Sequence, residues 1–159
     1  MWRASPLLIL LAVTAGCSRG IEVEKALKVT DVHTGWYDAG IQPDGKNKLV
    51  PSVSVRLQNV SQDQVASVQV NAIFRRVGEP EAWGEHFVRA IGPEGIGPGA
   101  TTRPIVLRSN LGYTGQQARI GMLQNREFVD AKVEIFGKHG SRTWVKIGEY
   151  QIDRQLLTQ

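Results

Sequence analysis

Val53-Ser54-Val55-Arg56-Leu57-Gln58-Asn59 carries an apolar side chain at every second position, and Val68-Gln69-Val70-Asn71-Ala72-Ile73-Phe74 repeats the pattern a short way on. A period of two puts Val53, Val55 and Leu57 on one face of an extended strand and Ser54, Arg56 and Gln58 on the other. Helical spacing would scatter the same side chains around a cylinder, so both segments read as strands with one dry and one wet face. That is the patterning of antiparallel sheets packed on one side. Between them, Asn59-Val60-Ser61-Gln62-Asp63 has turn composition, with Asn59 expected to accept local backbone hydrogen bonds. It also fits the glycosylation sequon formally, but the turn explains it.

Working outward, Val129-Asp130-Ala131-Lys132-Val133-Glu134-Ile135 alternates in the same way, with charges on its outer face. Weaker strand signals cover residues 26–34, 82–91, 102–108 and 142–152. Pro104 inside the third of these argues for a sheet edge, where no N–H is needed. Pro43-Asp44-Gly45 marks a turn, and the Gly/Pro-rich loop 92–99 suits a chain crossing between sheets. Seven strand signals in one chain of 159 residues predict an all-β fold, a single antiparallel Ig-like β-sandwich. One short helix is expected near 115–125, where Ala118, Met122 and Leu111 can share a face. Hydrophobic residues at 42% are enough for one core, and 17 Gly with 7 Pro suit a loop-rich β protein. No internal repeat is evident.

The first twenty residues have a different character. Arg3 gives a basic start, residues 7–13 are an apolar run, and Thr14-Ala15-Gly16 lead into Cys17, the single cysteine of the chain. As a helix that run reaches only ~10 Å against a ~30 Å hydrocarbon core, so it reads as a secretory signal peptide and not a span. Small residues before a lone Cys resemble the lipobox of bacterial lipoproteins, with Thr14 departing from the usual aliphatic. The resemblance implies a signal peptide over 1–16 and a lipidated tether over 17–25. Cys17 would then be the mature N-terminus, carrying diacylglyceryl and an acyl chain such as palmitate. Two or three acyl chains at ~0.8 kcal/mol per buried CH₂ would anchor the chain almost permanently. Ser18 after the Cys, in place of Asp, matches the pattern that permits transfer to the outer membrane and leans away from the inner one. Val13-Thr14-Ala15 also satisfies the rule for ordinary cleavage before Gly16, which would release a soluble periplasmic protein. A signal anchor or a buried N-terminal element is the remaining alternative.

The remaining residues, 26–159, form the expected sandwich domain. The two alternating strands flanking Leu57-Gln58-Asn59-Val60-Ser61 resemble small bacterial Ig-like lipoprotein domains, the FxLYD-like periplasmic sandwiches. Several such domains are accessory or assembly modules, and the resemblance supplies no catalytic residue.

Chemistry-bearing patterns are sparse. His33, His86 and His139 stand far apart, in neither an HxH nor an HExxH arrangement, so no metal site is expected. One Cys excludes a disulfide framework. Glu79, Glu81 and Glu85 surround Trp83, which a solvated hairpin explains more simply than a glycosidase pair. There is no nucleophile elbow and no P-loop, and Pro93 and Pro98 remove donors from the glycine-rich loop. No cofactor is expected and no catalytic activity. A formal charge of +4 with scattered basic residues argues against nucleic acid. The best claims to binding are Tyr113 and Asn110 on the loop around 108–115, joined by Trp36, Tyr37 and Trp83 if sandwich-end loops cluster. Packing is the competing role for these aromatics, with Trp83 and Trp144 in the core. The expected function is a lipid-anchored envelope protein, an interaction or accessory module for another envelope protein. The alternative is a small-ligand or glycan binder using the loop aromatics.

Overall fold

The computed structural model describes residues 20–157. The signal peptide, Cys17 and the first residues of the tether lie outside that range. After the short helix α1 (Val23–Ala26) come β1 (Leu27–Ile41), β2 (Asn47–Asn59), β3 (Val68–Arg76) and β4 (Gly84–Ile91). Then follow β5 (Ile105–Arg108), β6 (Tyr113–Gly115), α2 (Arg119–Gln124), β7 (Ala131–His139), β8 (Val145–Gln151) and β9 (Leu156–Leu157). One sheet has the order β5-β2-β1-β9, with β6 also paired to β2, and the other has the order β4-β3-β7-β8. All pairings are antiparallel except the short β1–β9 contact. The molecule is an all-β sandwich.

The alternating residues meet where their period requires. Val53, Val55 and Leu57 from β2 face Val68, Val70, Ala72 and Phe74 from β3 and Val133 and Ile135 from β7, all fully buried. Burial of that many aliphatic side chains, each worth ~1.5–3 kcal/mol, is what fixes strand register, since a one-residue slip would turn the set outward. The third alternating segment starts two residues later than expected. Val129 is exposed and Asp130 is occupied by Val77 and Arg154, so the strand begins at Ala131 and its alternation runs on to Gly137.

Strand β1 runs seven residues past the expected end at Thr34, because β2 pairs with it all the way to Ile41. Bulges between Thr30 and His33, with Asp31 at φ 50, and between Asp38 and Ile41 shift the register and let the strand bend while its pairing continues. Pro104 directly precedes β5, an edge strand as expected, and the 92–99 loop carries the chain from β4 in one sheet to β5 in the other. The helix is shorter than 115–125. Met122 is buried as expected, but Leu111 is half exposed and lies outside α2.

Two opposite ends organise the molecule. Leu27, the start of β1, pairs with Asn59, and Trp36 lies nine residues further along β1, ~30 Å away at strand rise. At the first end, α1 closes the sandwich by setting Val23 against Gly137, where a Cβ would stand 2.7 Å from Val23 Cγ1. Only glycine lets the helix approach β7 this closely. Val23 is consequently a core residue, 4% exposed.

Candidate functional site

The far end holds the densest aromatic cluster. β1 turns Trp36 inward, β6 supplies Tyr113, the β3–β4 hairpin supplies Trp83, and the segment after α2 supplies Phe128. Ring centroids lie 4.6 Å apart for Trp36 and Phe128, 5.7 Å for Trp36 and Tyr113, and 6.2 Å for Trp36 and Trp83. Tyr113 touches Trp83 at 4.9 Å and Phe128 at 4.7 Å. These are the tilted and edge-on geometries that aromatic quadrupoles favour. The Arg76 guanidinium lies 5.5 Å over Trp83, and that of Arg154 lies 5.1 Å over Phe128.

Of the residues singled out in the sequence, Trp36, Trp83 and Tyr113 come together, and Tyr37 and Asn110 do not join them. Trp36 is 0% exposed, so it builds the wall of the cluster and offers no face for stacking a ligand. Tyr37, next along the strand, lies under the Arg108 guanidinium at 3.6 Å. Asn110 fastens the seam between the sheets: its Oδ1 accepts the Glu85 N–H at 3.1 Å, and its carbonyl accepts the Lys48 ammonium at 3.3 Å. Tyr113 donates its phenol proton to the Val129 carbonyl at 3.1 Å.

Beside Tyr113 lies a recess of about 220 Å³, lined by Thr114, Gly115, Met122, Asn125 and Phe128 among others. Ligand clefts usually measure ~300–1,000 Å³, so this recess suits one small group and not a chain of sugars. Its floor is held by Arg154, which ion-pairs with Asp130 at 2.6 Å and donates to the carbonyls of Leu123 at 3.2 Å and Phe128 at 2.8 Å. The hydrogen bond to Asp130 also raises the guanidinium pKa above its ordinary value. The ion pair is substantially solvated and contributes little. Arg154→Ala should therefore destabilise by about 2 kcal/mol, chiefly through the two carbonyl bonds. It should also speed hydrogen exchange of the Phe128 amide, which now bonds to the Asn125 carbonyl at 3.1 Å. A wild-type exchange rate at that amide in the variant would remove Arg154 as the strut.

Elsewhere the polar groups are dispersed. Among the described residues no group of three or more His, Cys, Asp or Glu side chains is placed to hold a metal. His86 Nδ1 accepts the Arg108 N–H at 2.8 Å, a structural bond. Glu79, Glu81 and Glu85 lie on the exposed β3–β4 hairpin, with Glu79 paired to Arg76 at 2.7 Å.

The sequence reading missed Phe128, which joins the cluster from a loop far from Trp36 in the chain. It also missed an aromatic pair on the outer face of the second sheet. Phe87 is 55% exposed and Trp144 is 38% exposed, with ring centroids 6.0 Å apart, so Trp144 is not the core residue its apolar neighbours suggested. A single aromatic at a strand start carries no periodic signal of its face.

No family model matches this chain, and no curated protein does. The chain is similar to a solved structure described as the X-ray structure of Northeast Structural Genomics Consortium target SoR45. The two share 12% identity at a TM-score of 0.44, over 82% of this chain and 89% of that one.

Proposed function

We propose that this protein is a lipid-anchored component of the bacterial envelope, held through acylated Cys17 and facing the periplasm, in the outer membrane rather than the inner. Its sandwich is a non-catalytic accessory module that docks on another envelope protein. One observation carries the reading: the folded body begins almost directly after the lipobox cysteine. Ile21 and Val23 already pack on the core, so few residues separate Cys17 from the sandwich. Such an arrangement presents the aromatic end, with Tyr113, α2 and the β3–β4 hairpin, away from the membrane. Among the described residues no helix is long and apolar enough to cross a bilayer. Confinement to a surface raises effective concentration, so a modest interface suffices.

Feeding cells an alkynyl fatty acid and fractionating them tests the anchor. The wild-type protein should be labelled and remain almost wholly with membranes, and Cys17→Ser should lose the label and its lipid-dependent attachment. An unlabelled wild-type protein would overturn the anchor. Crosslinking the native protein in cells should then recover one envelope protein in stoichiometric yield. Nothing above the Cys17→Ser control would overturn the accessory role and leave ligand binding at the Tyr113 recess as the better reading.

A further inference from the structure

We infer that the β7–β8 hairpin tip, with the adjoining aromatic pair, is a second membrane contact that docks the sandwich onto anionic lipid headgroups beside its own anchor. The inference rests on the lipid-anchor reading and adds an orientation to it. Gly20 lies directly against the Arg142 guanidinium. Two residues, Ser18 and Arg19, separate Cys17 from Gly20, and the three steps between them, at ~3.6 Å each when fully extended, reach at most ~11 Å. Wherever the acyl chains enter, the bilayer surface therefore comes within about that distance of Gly20 and of the Arg142 guanidinium it touches, which projects from the hairpin tip.

The tip is built for that position. Residues 138–144, Lys-His-Gly-Ser-Arg-Thr-Trp, hold two fixed cations, one histidine and no carboxylate. Lys138 Nζ stands 5.0 Å from the Trp144 ring, and Trp144 meets Phe87 in a T-shaped contact on the outer face of the sheet. Arg89 extends the cationic side, since Arg89 and Lys138 flank Gln69 on the two neighbouring strands. An exposed Trp beside Lys and Arg is the combination enriched at the headgroup level, where the ring body is apolar and its edge wet. Two carboxylates of the α1 region, Glu22 and Glu24, share a recess with His139 and Arg142. Glu22 is already bonded to Lys25. Further along the face, Glu134 pairs with Arg75 at 3.2 Å and with Lys146 at 3.5 Å, and Glu149 with Lys132 at 3.2 Å. Glu134 and Glu149 are thus engaged by cations of the sheet face, Glu85 on the same face sits at the other end of β4, and the tip itself carries no carboxylate.

The test uses the full acylated protein, reconstituted into phosphatidylcholine vesicles with or without phosphatidylglycerol. A polarity-sensitive fluorophore is placed at exposed Ser141 by Ser141→Cys, or at exposed Gln116, near the far end, by Gln116→Cys. The tip label should be blue-shifted and quenched by brominated lipid, and the Gln116 label should be neither. Adding Lys138→Gln and Arg142→Gln should weaken quenching in phosphatidylglycerol vesicles, each cation being worth roughly fivefold in partitioning to an anionic surface. Trp144→Ser should weaken it in both kinds of vesicle. Equal solvent exposure of the two labels in protein whose N-terminal peptide has the acylated mass overturns the docking inference and leaves the anchor intact. An N-terminal peptide without acyl mass overturns the anchor and this inference with it. Quenching that is indifferent to phosphatidylglycerol overturns the role given to Lys138 and Arg142.

Discussion

Trp36→Ala should lower the unfolding free energy by about 3–5 kcal/mol, a large share of what a domain this size has to spare. Trp36 is fully buried and packs against three other aromatic rings, so its removal leaves a cavity walled by Trp83, Tyr113 and Phe128. Those rings are held by the β3–β4 hairpin, by strand β6 and by the Arg154 strut, so they can close the gap only in part. Trp36→Phe should cost clearly less, because the buried indole N–H has no hydrogen-bond partner among the described residues to lose and only ring volume is removed. Urea midpoints of the two variants check this. Equal losses would show that the N–H has a role in the cluster that its surroundings do not reveal. The same measurement bears on the proposed function: if the aromatic end is the docking end, Trp36→Ala should weaken partner capture before it unfolds the protein.

The difference between what the sequence discloses and what it conceals is visible in this cluster. Val53, Val55 and Leu57 could be assigned to the core because a period of two is a local property, and so could Val68, Val70 and Phe74. Trp36 could not, because the alternation of β1 weakens beyond Thr34 and the strand continues only through pairing with β2. Phe128 reaches Trp36 and Tyr113 because α2 returns the chain over the sandwich end, a tertiary event with no periodic trace. Strands β6 and β9 have three and two residues, too few for alternation to register. Tyr113 was legible as a residue set apart between glycines, and its neighbours were not. At the other end, Trp144 was visible as an aromatic, but its position over Phe87 depends on a side chain folding back across the sheet. What was legible with its mechanism was the turn at Asn59, since Asx chemistry acts within a few residues.

Asn59→Asp should therefore be among the most damaging single-atom changes available in this chain, and its cost should depend on pH. Asn59 is 0% exposed, and its amide group works in both directions. Nδ2 donates to the carbonyls of Asp63 at 2.8 Å and Ile96 at 3.0 Å, and Oδ1 accepts from the Ser61 N–H at 2.9 Å and its hydroxyl at 2.7 Å. These bonds fasten the β2–β3 turn to the loop that crosses between the sheets. Asn59→Ala removes all of them but leaves groups that water can partly reach, for an expected loss of about 2–3 kcal/mol. The Asp variant keeps the acceptor side and turns the donor side into an oxygen facing two carbonyl oxygens, in a buried site. Ionisation there is disfavoured by burial and by both carbonyls, so the new carboxyl should titrate above the ordinary ~3.9 of an unfolded aspartate. When protonated it can donate to one of the two carbonyls. The folded pKa is raised, so the variant keeps most stability below the unfolded value and loses it as pH rises toward the folded one. Relative to Asn59→Ala, the Asp variant should be the more stable near pH 4 and the less stable at pH 7, where its loss should reach about 3–5 kcal/mol. Urea midpoints at the two pH values decide it. Parallel pH profiles for the two variants would mean that the turn opens enough to hydrate the new carboxylate, and that Asn59 is not the clasp between the two loops.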